Sequence, residues 1–164
     1  MPLRNPPSVP PVLVVPIVNG AITNGVWSAA QRACFIRFQQ ATTGVYRYIN
    51  WTCAIASGNV QVGVVAMSGT GRISYGAPLV TTGVIACPTA ADIRSDVGAF
   101  TLTPGDYALF LWADNTTVSV GRSTGVPSSQ RMAGFVNSLA TGVIAGGTLT
   151  LSTIAPSLVL EADV

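Results

Sequence analysis

Beyond residue 20 the chain has the pattern of β-strands, and apolar and polar residues alternate most cleanly in residues 45–56. In residues 45–56, Ile49, Trp51, Cys53 and Ile55 fall on one face, and polar or aromatic residues fall on the other. Successive side chains of a β-strand point to opposite faces, so this period predicts strands. Further strands are predicted in residues 32–39, 60–67, 100–102, 107–113, 116–120, 148–151 and 158–161.

Turn residues separate these segments, such as Gly58 after one predicted strand and Pro104 between two others. Short strands at intervals of roughly 8 to 15 residues are typical of a β-sandwich, and about eight of them fit a jelly roll. Only two segments suit a helix, a single turn in residues 91–97 and a weaker stretch in residues 129–139. The sequence therefore predicts an all-β fold, a β-sandwich of the jelly-roll type.

Proline dominates the start of the chain, where six of the eleven prolines lie within the first sixteen residues. Proline fixes the backbone φ angle and has no N–H to donate, so this stretch suits neither a helix nor a central strand. We therefore predict an extended, polyproline-like arm in residues 1–20 and a single β-sandwich domain in residues 21–164.

The predicted arm is apolar as well as extended. Each aliphatic side chain that it buries in a groove would contribute roughly 1.5 to 3 kcal/mol. The arm either docks on a neighbouring chain, which we expect, or packs back on its own domain. The residues predicted to bind a partner in this way are Val9, Val12, Leu13, Val14, Val15, Ile17 and Val18.

The chain is poor in charge, with eight arginines, six carboxylates and neither lysine nor histidine. The usual bases of acid–base and nucleophilic catalysis are therefore missing, and we predict that the protein is not an enzyme. Paired carboxylates remain as an alternative, either Asp92 with Asp96 or Asp106 with Asp114. The first pair has the spacing of a solvated helical turn, and Asp106 lies in a predicted turn that favours aspartate.

The composition also indicates partners. Only 9% of the residues are charged and 49% are hydrophobic, so we expect surplus apolar surface to face other protein chains. The arginines are spread singly, which does not fit a row of phosphates, and no apolar run reaches the length of a membrane span. We therefore expect neither nucleic acid nor membrane as a partner, and with no signal-peptide pattern we expect assembly in a cytoplasm.

Cys34, Cys53 and Cys87 are an odd number of cysteines without C-x-x-C spacing. This spacing gives neither a complete disulfide framework nor a zinc site. No calcium-loop or phosphate-loop pattern occurs either. We therefore predict no metal and no cofactor, and we interpret the three cysteines as reduced, small core residues.

Three tyrosines are candidates for a surface contact: Tyr46, Tyr48 and Tyr75. They either cover a sheet face or a subunit contact, or they form a platform on which a ligand stacks. Four other large aromatic residues read as core, namely Trp51, Phe100, Phe110 and Trp112.

Residues 59–68, 81–83 and 102–117 together resemble a known family, the last of these with the turn sequence Pro-Gly-Asp-Tyr. They resemble the small jelly-roll domains of tailed-bacteriophage virion proteins, over roughly residues 30–120. Such domains occur in capsid decoration (cement) proteins and in tail fibres that bind host receptors. Both uses imply homotrimers.

The resemblance implies a virion structural protein that decorates and stabilises the phage head shell. Its partners would be copies of itself and the major capsid protein or another virion protein, with the arm docking on neighbouring chains. The alternative is a tail-fibre or head-fibre module that recognises host glycans or a surface protein through loops such as residues 68–75 and 122–131. The sequence lacks the coiled coil or collagen-like repeat of a fibre stalk, which favours decoration.

Overall fold

The computed structural model describes residues 22–27, 30–68, 74–89, 91–123, 131–135, 147–148, 150–151 and 155–163. The arm predicted in residues 1–20, with its apolar residues 9–18, lies outside the described residues. The strands within the described ranges are β1 (Ile22–Val26), β2 (Arg32–Gln40), β3 (Gly44–Ile55), β4 (Asn59–Ser68), β5 (Ser74–Thr81), β6 (Ile85–Ala86), β7 (Ala91–Leu102), β8 (Gly105–Ala113), β9 (Ser119–Ser123), β10 (Arg131–Phe135), β11 (Gly147–Thr148), β12 (Thr150–Leu151) and β13 (Leu158–Ala162).

The described strands form two antiparallel sheets. In sheet A, β3 is central: β7 pairs with one of its edges, β13 and β9 share the other edge, and β1 extends the sheet from β9. In sheet B the main order is β5, β4, β8, β2 and β10, with β6 beside the start of β4. This arrangement confirms the prediction of an all-β, sandwich-like fold.

The first core lies between the two sheets. Ile49 and Trp51 of β3 meet Leu109 and Leu111 of β8 there, and none of the four is more than 3% exposed. The Trp51 indole N–H donates to the Ser95 hydroxyl at 3.0 Å, so the polar atom of this large side chain is satisfied inside the core. Burial of apolar surface at this interface joins the sheets into one unit.

Sheet B is buried on its opposite face as well, where a second core forms. Phe35 is at its centre, with its ring centroid 4.9 Å from that of Tyr75 and 5.8 Å from that of Phe110. Strands buried on both faces read as nearly continuous apolar runs, as β4 and β8 do. The second core comprises Ala33, Phe35, Val65, Met67, Tyr75, Ala108, Phe110 and Trp112.

Strands β11 and β12 bring the two edges of sheet B together. β11 pairs with β5 at one edge, and β12 pairs with β10 at the opposite edge. Thr148 of β11 and Thr150 of β12 are only two positions apart in the chain. Their Cα atoms are therefore at most roughly 7 Å apart, and the two edges of the sheet must lie close together. Sheet B therefore curls on itself at this end.

Few large apolar side chains face solvent in the described part of the chain. They are Val26, Val45, Ile55, Leu79 and Val84, each between 40% and 56% exposed. The two cores thus bury most of the large apolar side chains in the described ranges. That surplus apolar surface faces other proteins stays a prediction.

Both predicted helices are wrong where the structure describes them. Residues 91–97 belong to β7, which pairs with β3 from Ala91 to Leu102. The charges at positions 92, 94 and 96 have a period of two, which also fits a strand. Pairing with β3 decides in favour of the strand over the helical turn. In the other segment, β10 occupies positions 131 to 135 and pairs with β2; the rest of that segment lies outside the described residues.

Gly63 is a sharp test of packing between β4, β5 and β8. A Cβ atom there would lie 2.4 Å from the Val80 carbonyl oxygen and 2.7 Å from the Phe110 ring. We expect Gly63→Ala to reduce the free energy of unfolding by about 2 to 3 kcal/mol, because neither neighbour can yield without repacking. Urea denaturation measures this change.

Gly76→Ala is the matched control, since the residue is exposed and no atom lies within 4 Å of the position that its added methyl group would take. It should change the free energy of unfolding by less than about 0.5 kcal/mol. Equal effects of the two substitutions would contradict the tight packing of Gly63.

Candidate functional site

The outer face of sheet A carries four of the six carboxylates of the chain. In β7, Asp92, Arg94 and Asp96 are exposed, whereas Ile93 and Ser95 between them turn toward the first core. The extended backbone of the sheet thereby separates charged from apolar residues. We call this surface the charged face, and it consists of Arg47, Tyr48, Asn50, Thr52, Asp92, Arg94, Asp96, Glu161 and Asp163.

Arg47 and Asp96 form a two-pronged ion pair between β3 and β7. Arg47 Nε lies 3.2 and 3.1 Å from the two carboxylate oxygens, and Nη2 lies 2.9 Å from Oδ2. The Gly98 backbone N–H also donates to this carboxylate at 2.9 Å. The Arg47 hydrogen bonds and then the Gly98 N–H hold the pKa of Asp96 below its usual value, because both favour the charged form.

A second ion pair joins β7 to β13. Arg94 Nε and Nη2 lie 3.1 and 2.6 Å from the two oxygens of Glu161, and the Asn50 amide donates to the same carboxylate at 2.8 Å. These hydrogen bonds lower the pKa of Glu161, with Arg94 as the larger cause. Since Asn50 lies on β3, the Glu161 carboxylate connects all three strands.

Tyr48 lies among these charges. The Arg94 guanidinium carbon is 3.4 Å from the centroid of its ring, and that of Arg47 is 5.3 Å away. Guanidinium groups stack favourably on aromatic rings, so the ring helps to fix both ion pairs in place. Tyr48 is half-buried, and it is the one of the three predicted surface tyrosines that lies on this face.

The prediction of a surface contact is wrong for the other two tyrosines. Opposite β13, β3 has one extra residue between Tyr46 and Tyr48, and this bulge turns Tyr46 inward, where it is 3% exposed and its hydroxyl donates to the Gln40 side-chain carbonyl. Tyr75 is buried in the second core against Phe35. Neither can make a surface contact in this fold.

A groove of about 350 Å³ runs beside the ion pairs. Thr52 and Asn50 of β3 lie along it, and the Thr52 hydroxyl donates to the Asp92 carboxylate at 2.7 Å. Its size is within the range of small-ligand sites. The groove is lined by Asn50, Trp51, Thr52, Asp92, Ile93, Arg94, Ser157 and Val159.

The groove combines a mainly apolar lining with a few hydrogen-bonding groups. The polar groups belong to β3, to β7 and to Ser157, which precedes β13, and Val159 contributes to the apolar wall. These polar groups can donate hydrogen bonds to a ligand rich in hydroxyl groups and can accept hydrogen bonds from it. All of these polar groups except Ser157 stand on strands, so their positions are set by the sheet.

The paired carboxylates proposed from the sequence do not meet. Asp92 and Asp96 lie on one extended strand, where four residues span about 13 Å. Asp106 and Asp114 are separated by nearly the whole of β8, about 26 Å. Carboxylates that hydrolyse glycosides lie about 5 to 10 Å apart, so neither pair has that geometry.

Asp106 and Asp114 each have a local structural partner. Asp106 pairs with Arg37 of the neighbouring strand at 3.2 Å. Asp114 accepts hydrogen bonds from the Asn59 backbone N–H at 2.9 Å and from the Asn59 side-chain amide at 2.7 Å. It thereby fixes the turn between β3 and β4, in which Gly58 has a positive φ of 63°.

In the described part of the chain, no group of three or more Cys, Asp or Glu side chains could hold a metal ion. None of the segments of that part is a helix long and apolar enough to cross a membrane. The predicted loop contacts at residues 68–75 and 122–131 lie largely outside the described residues.

Comparison of the chain with protein-family models, with curated proteins and with solved structures finds no match. The resemblance to phage virion domains therefore stays a prediction.

Sequence reasoning missed most of the charged face, in particular Arg47, Arg94 and Glu161. The helical reading of residues 91–97 hid the signal, because on a strand the charges at positions 92, 94 and 96 share one face. The pairing of Arg94 with Glu161 joins positions far apart in sequence, and only the sheet order reveals it.

Glu161→Gln tests the electrostatics of this face. Because the folded-state pKa of Glu161 is lowered, its stabilisation is present above the unfolded pKa and is lost as the pH falls through the folded pKa. We expect the variant to melt a few degrees below the natural protein at about pH 7 and the difference to shrink below about pH 4. Thermal unfolding monitored across this pH range measures the effect.

Asp106→Asn is the control, because it also removes one carboxylate but breaks only a single contact between exposed side chains. Its effect at neutral pH should be smaller. A Glu161→Gln difference that is unchanged at about pH 3 would show that the carboxylate charge does not stabilise the fold.

Proposed function

We propose that the two sheets form a jelly roll and that the chain is a virion structural protein that decorates the head shell of a tailed bacteriophage. A jelly roll is a long antiparallel ribbon of eight strands folded over, so that the first strand pairs with the eighth, the second with the seventh, the third with the sixth and the fourth with the fifth. Virus capsid and lectin domains share this architecture.

The strand order carries this proposal. Leaving out the two-residue β6, the first eight strands are β1, β2, β3, β4, β5, β7, β8 and β9. The observed pairs are β1 with β9, β2 with β8, β3 with β7 and β4 with β5. β9 also pairs with β3, and β8 with β4, as the two sheets of a jelly roll require.

A fold alone does not define a function, so decoration also requires surface features that suit binding to other proteins. The arm enters the described domain at β1, an outer strand of sheet A whose described partner is β9. Val26 of β1 and Ile55 of β3 both register with Ser119 of β9, and both are more than half exposed. Two exposed apolar side chains therefore lie at this end of the sheet, one on each side of Ser119 and one of them on β1.

These features suit a protein that binds through protein contacts rather than through chemistry. The proposed assembly is a homotrimer in the virion, with the apolar arm on a neighbouring subunit or on the major capsid protein. The two cores keep the described body folded before it binds, so binding does not have to supply the free energy of folding that body.

The oligomeric state and the arm provide the test. We expect the full chain at micromolar concentration to have about three times the chain mass of 16.8 kDa by light scattering. Removing residues 2–16 should leave the melting temperature within a few degrees of the natural value but abolish binding to phage heads assembled without this chain.

A variant with Val12→Asp and Val14→Asp keeps the length of the arm and should fail to bind in the same way. Electron microscopy with labelled antibody should place the full chain on the head. Undiminished binding by both variants, or label confined to the tail, would contradict decoration.

A second candidate function is supported by the groove on the charged face. Its hydroxyl, amide and carboxylate groups suit a host glycan, as in a receptor-binding module of a fibre. In this case a glycan array should show binding of the full chain, and the ligand would lie across β3 beside Arg94.

Thr52→Tyr would fill the groove and should abolish glycan binding while the protein stays folded. Thr101→Tyr is the matched control, because Thr101 is exposed at the far end of β7 and does not line the groove. Equal glycan binding by both variants would exclude the groove as the site.

A further inference from the structure

Two of the three cysteines meet where the sheets come together. Cys53 lies in β3 of sheet A, and Cys87 directly follows β6 of sheet B. Their sulfur atoms are 3.2 Å apart. The third cysteine, Cys34, is fully buried on β2.

The backbone holds both residues in place. Cys53 pairs with Ala91 of β7 on one side and with Val120 of β9 on the other. The Cys87 N–H donates to the Gly58 carbonyl at 2.9 Å. A disulfide requires a sulfur–sulfur distance of about 2.05 Å, so side-chain rotation has to close only about 1 Å.

From this geometry we infer that Cys53 and Cys87 are a disulfide-forming pair, oxidised by a small-molecule disulfide such as glutathione disulfide. The inference is independent of the proposed function. It adds to the interpretation of the three cysteines as reduced core residues, which agrees with their free thiols and their place in or against the first core.

The exposure of the two thiols sets the order of the steps. Cys87 is half-buried and within reach of the oxidant, whereas Cys53 is 1% exposed. The Cys87 thiolate attacks the small disulfide, which forms a mixed disulfide and releases one thiolate. Cys53 then attacks the Cys87 sulfur and releases the second thiolate, which takes up the Cys53 proton. Two protein thiols are oxidised to one disulfide, and one small disulfide is reduced to two thiols.

The second step should be the slow one. Burial, followed by the contact with Cys87, raises the pKa of the Cys53 thiol to about 12. The thiolate is the attacking species, so closure of the disulfide should become faster as the pH rises.

The bond would join sheet A to sheet B and close a loop that contains β4, β5 and β6. Cross-linking restricts the unfolded chain, and a loop of this length raises the melting temperature by about 8 to 15 °C. The pair would therefore act as a covalent staple that forms when the protein passes from a reducing to an oxidising medium.

The experiment uses the full chain with Cys34→Ser, so that only the pair remains. The folded variant is incubated with glutathione disulfide, and its thiols are then counted in denaturant. We expect the count to fall from two to none, peptide mapping to show a Cys53–Cys87 link, and the melting temperature to rise by about 8 to 15 °C.

The double variant Cys34→Ser, Cys87→Ser is the matched control and should not gain stability on oxidation. Two thiols that survive oxidation, or a stable glutathione adduct without the internal link, would overturn the inference. Formation of the link without a rise in melting temperature would overturn the role as a staple.

Discussion

The three central strands of sheet B, β4, β8 and β2, exclude water from both of their faces. One face packs against sheet A and the other encloses Phe35, Phe110 and Trp112. Apolar burial on two sides gives this sheet a larger share of the stabilising free energy than a sheet with one wet face would have. It also explains how a chain with 49% hydrophobic residues leaves few large apolar side chains exposed in the described ranges.

Sheet A has the opposite character on its outer side. One face of sheet A is buried against sheet B, and the other faces solvent, where charged side chains remain hydrated. Four of the six carboxylates lie on this outer face. Two arginines fix two of these carboxylates through forked hydrogen bonds, and Tyr48 stacks against both arginines. Paired charges on a rigid sheet lose little entropy when they bind a ligand, which is why the groove beside them supports a second function.

The proposed functions use different parts of the molecule. The proposed decoration would use the arm and the exposed Val26 and Ile55, whereas the proposed glycan recognition would use the groove beside Arg94. Both fit the jelly roll that we propose from the strand order, because jelly rolls serve as capsid domains and as lectins. The Cys53–Cys87 pair belongs to neither surface and concerns how firmly the two sheets are joined.

Periodicity and turn residues determined the fold class and the approximate positions of most strands, because the alternation of side chains is a local property of an extended chain. They also placed Trp51, Phe110 and Trp112 in the core correctly. The sequence failed at residues 91–97, where charges spaced four apart suit a helix and charges spaced two apart suit a strand. Only pairing with β3 decided between these.

The tertiary structure alone decided the site. The bulge in β3 turned Tyr46 inward and left Tyr48 outside, and a shift of one residue in a strand exchanges the two faces. Arg94 and Glu161, which are in contact, lie 67 positions apart in the sequence. Cys53 and Cys87, also in contact, lie 34 positions apart. Local sequence patterns extend over a few residues, so contacts of this range are set by strand order and register.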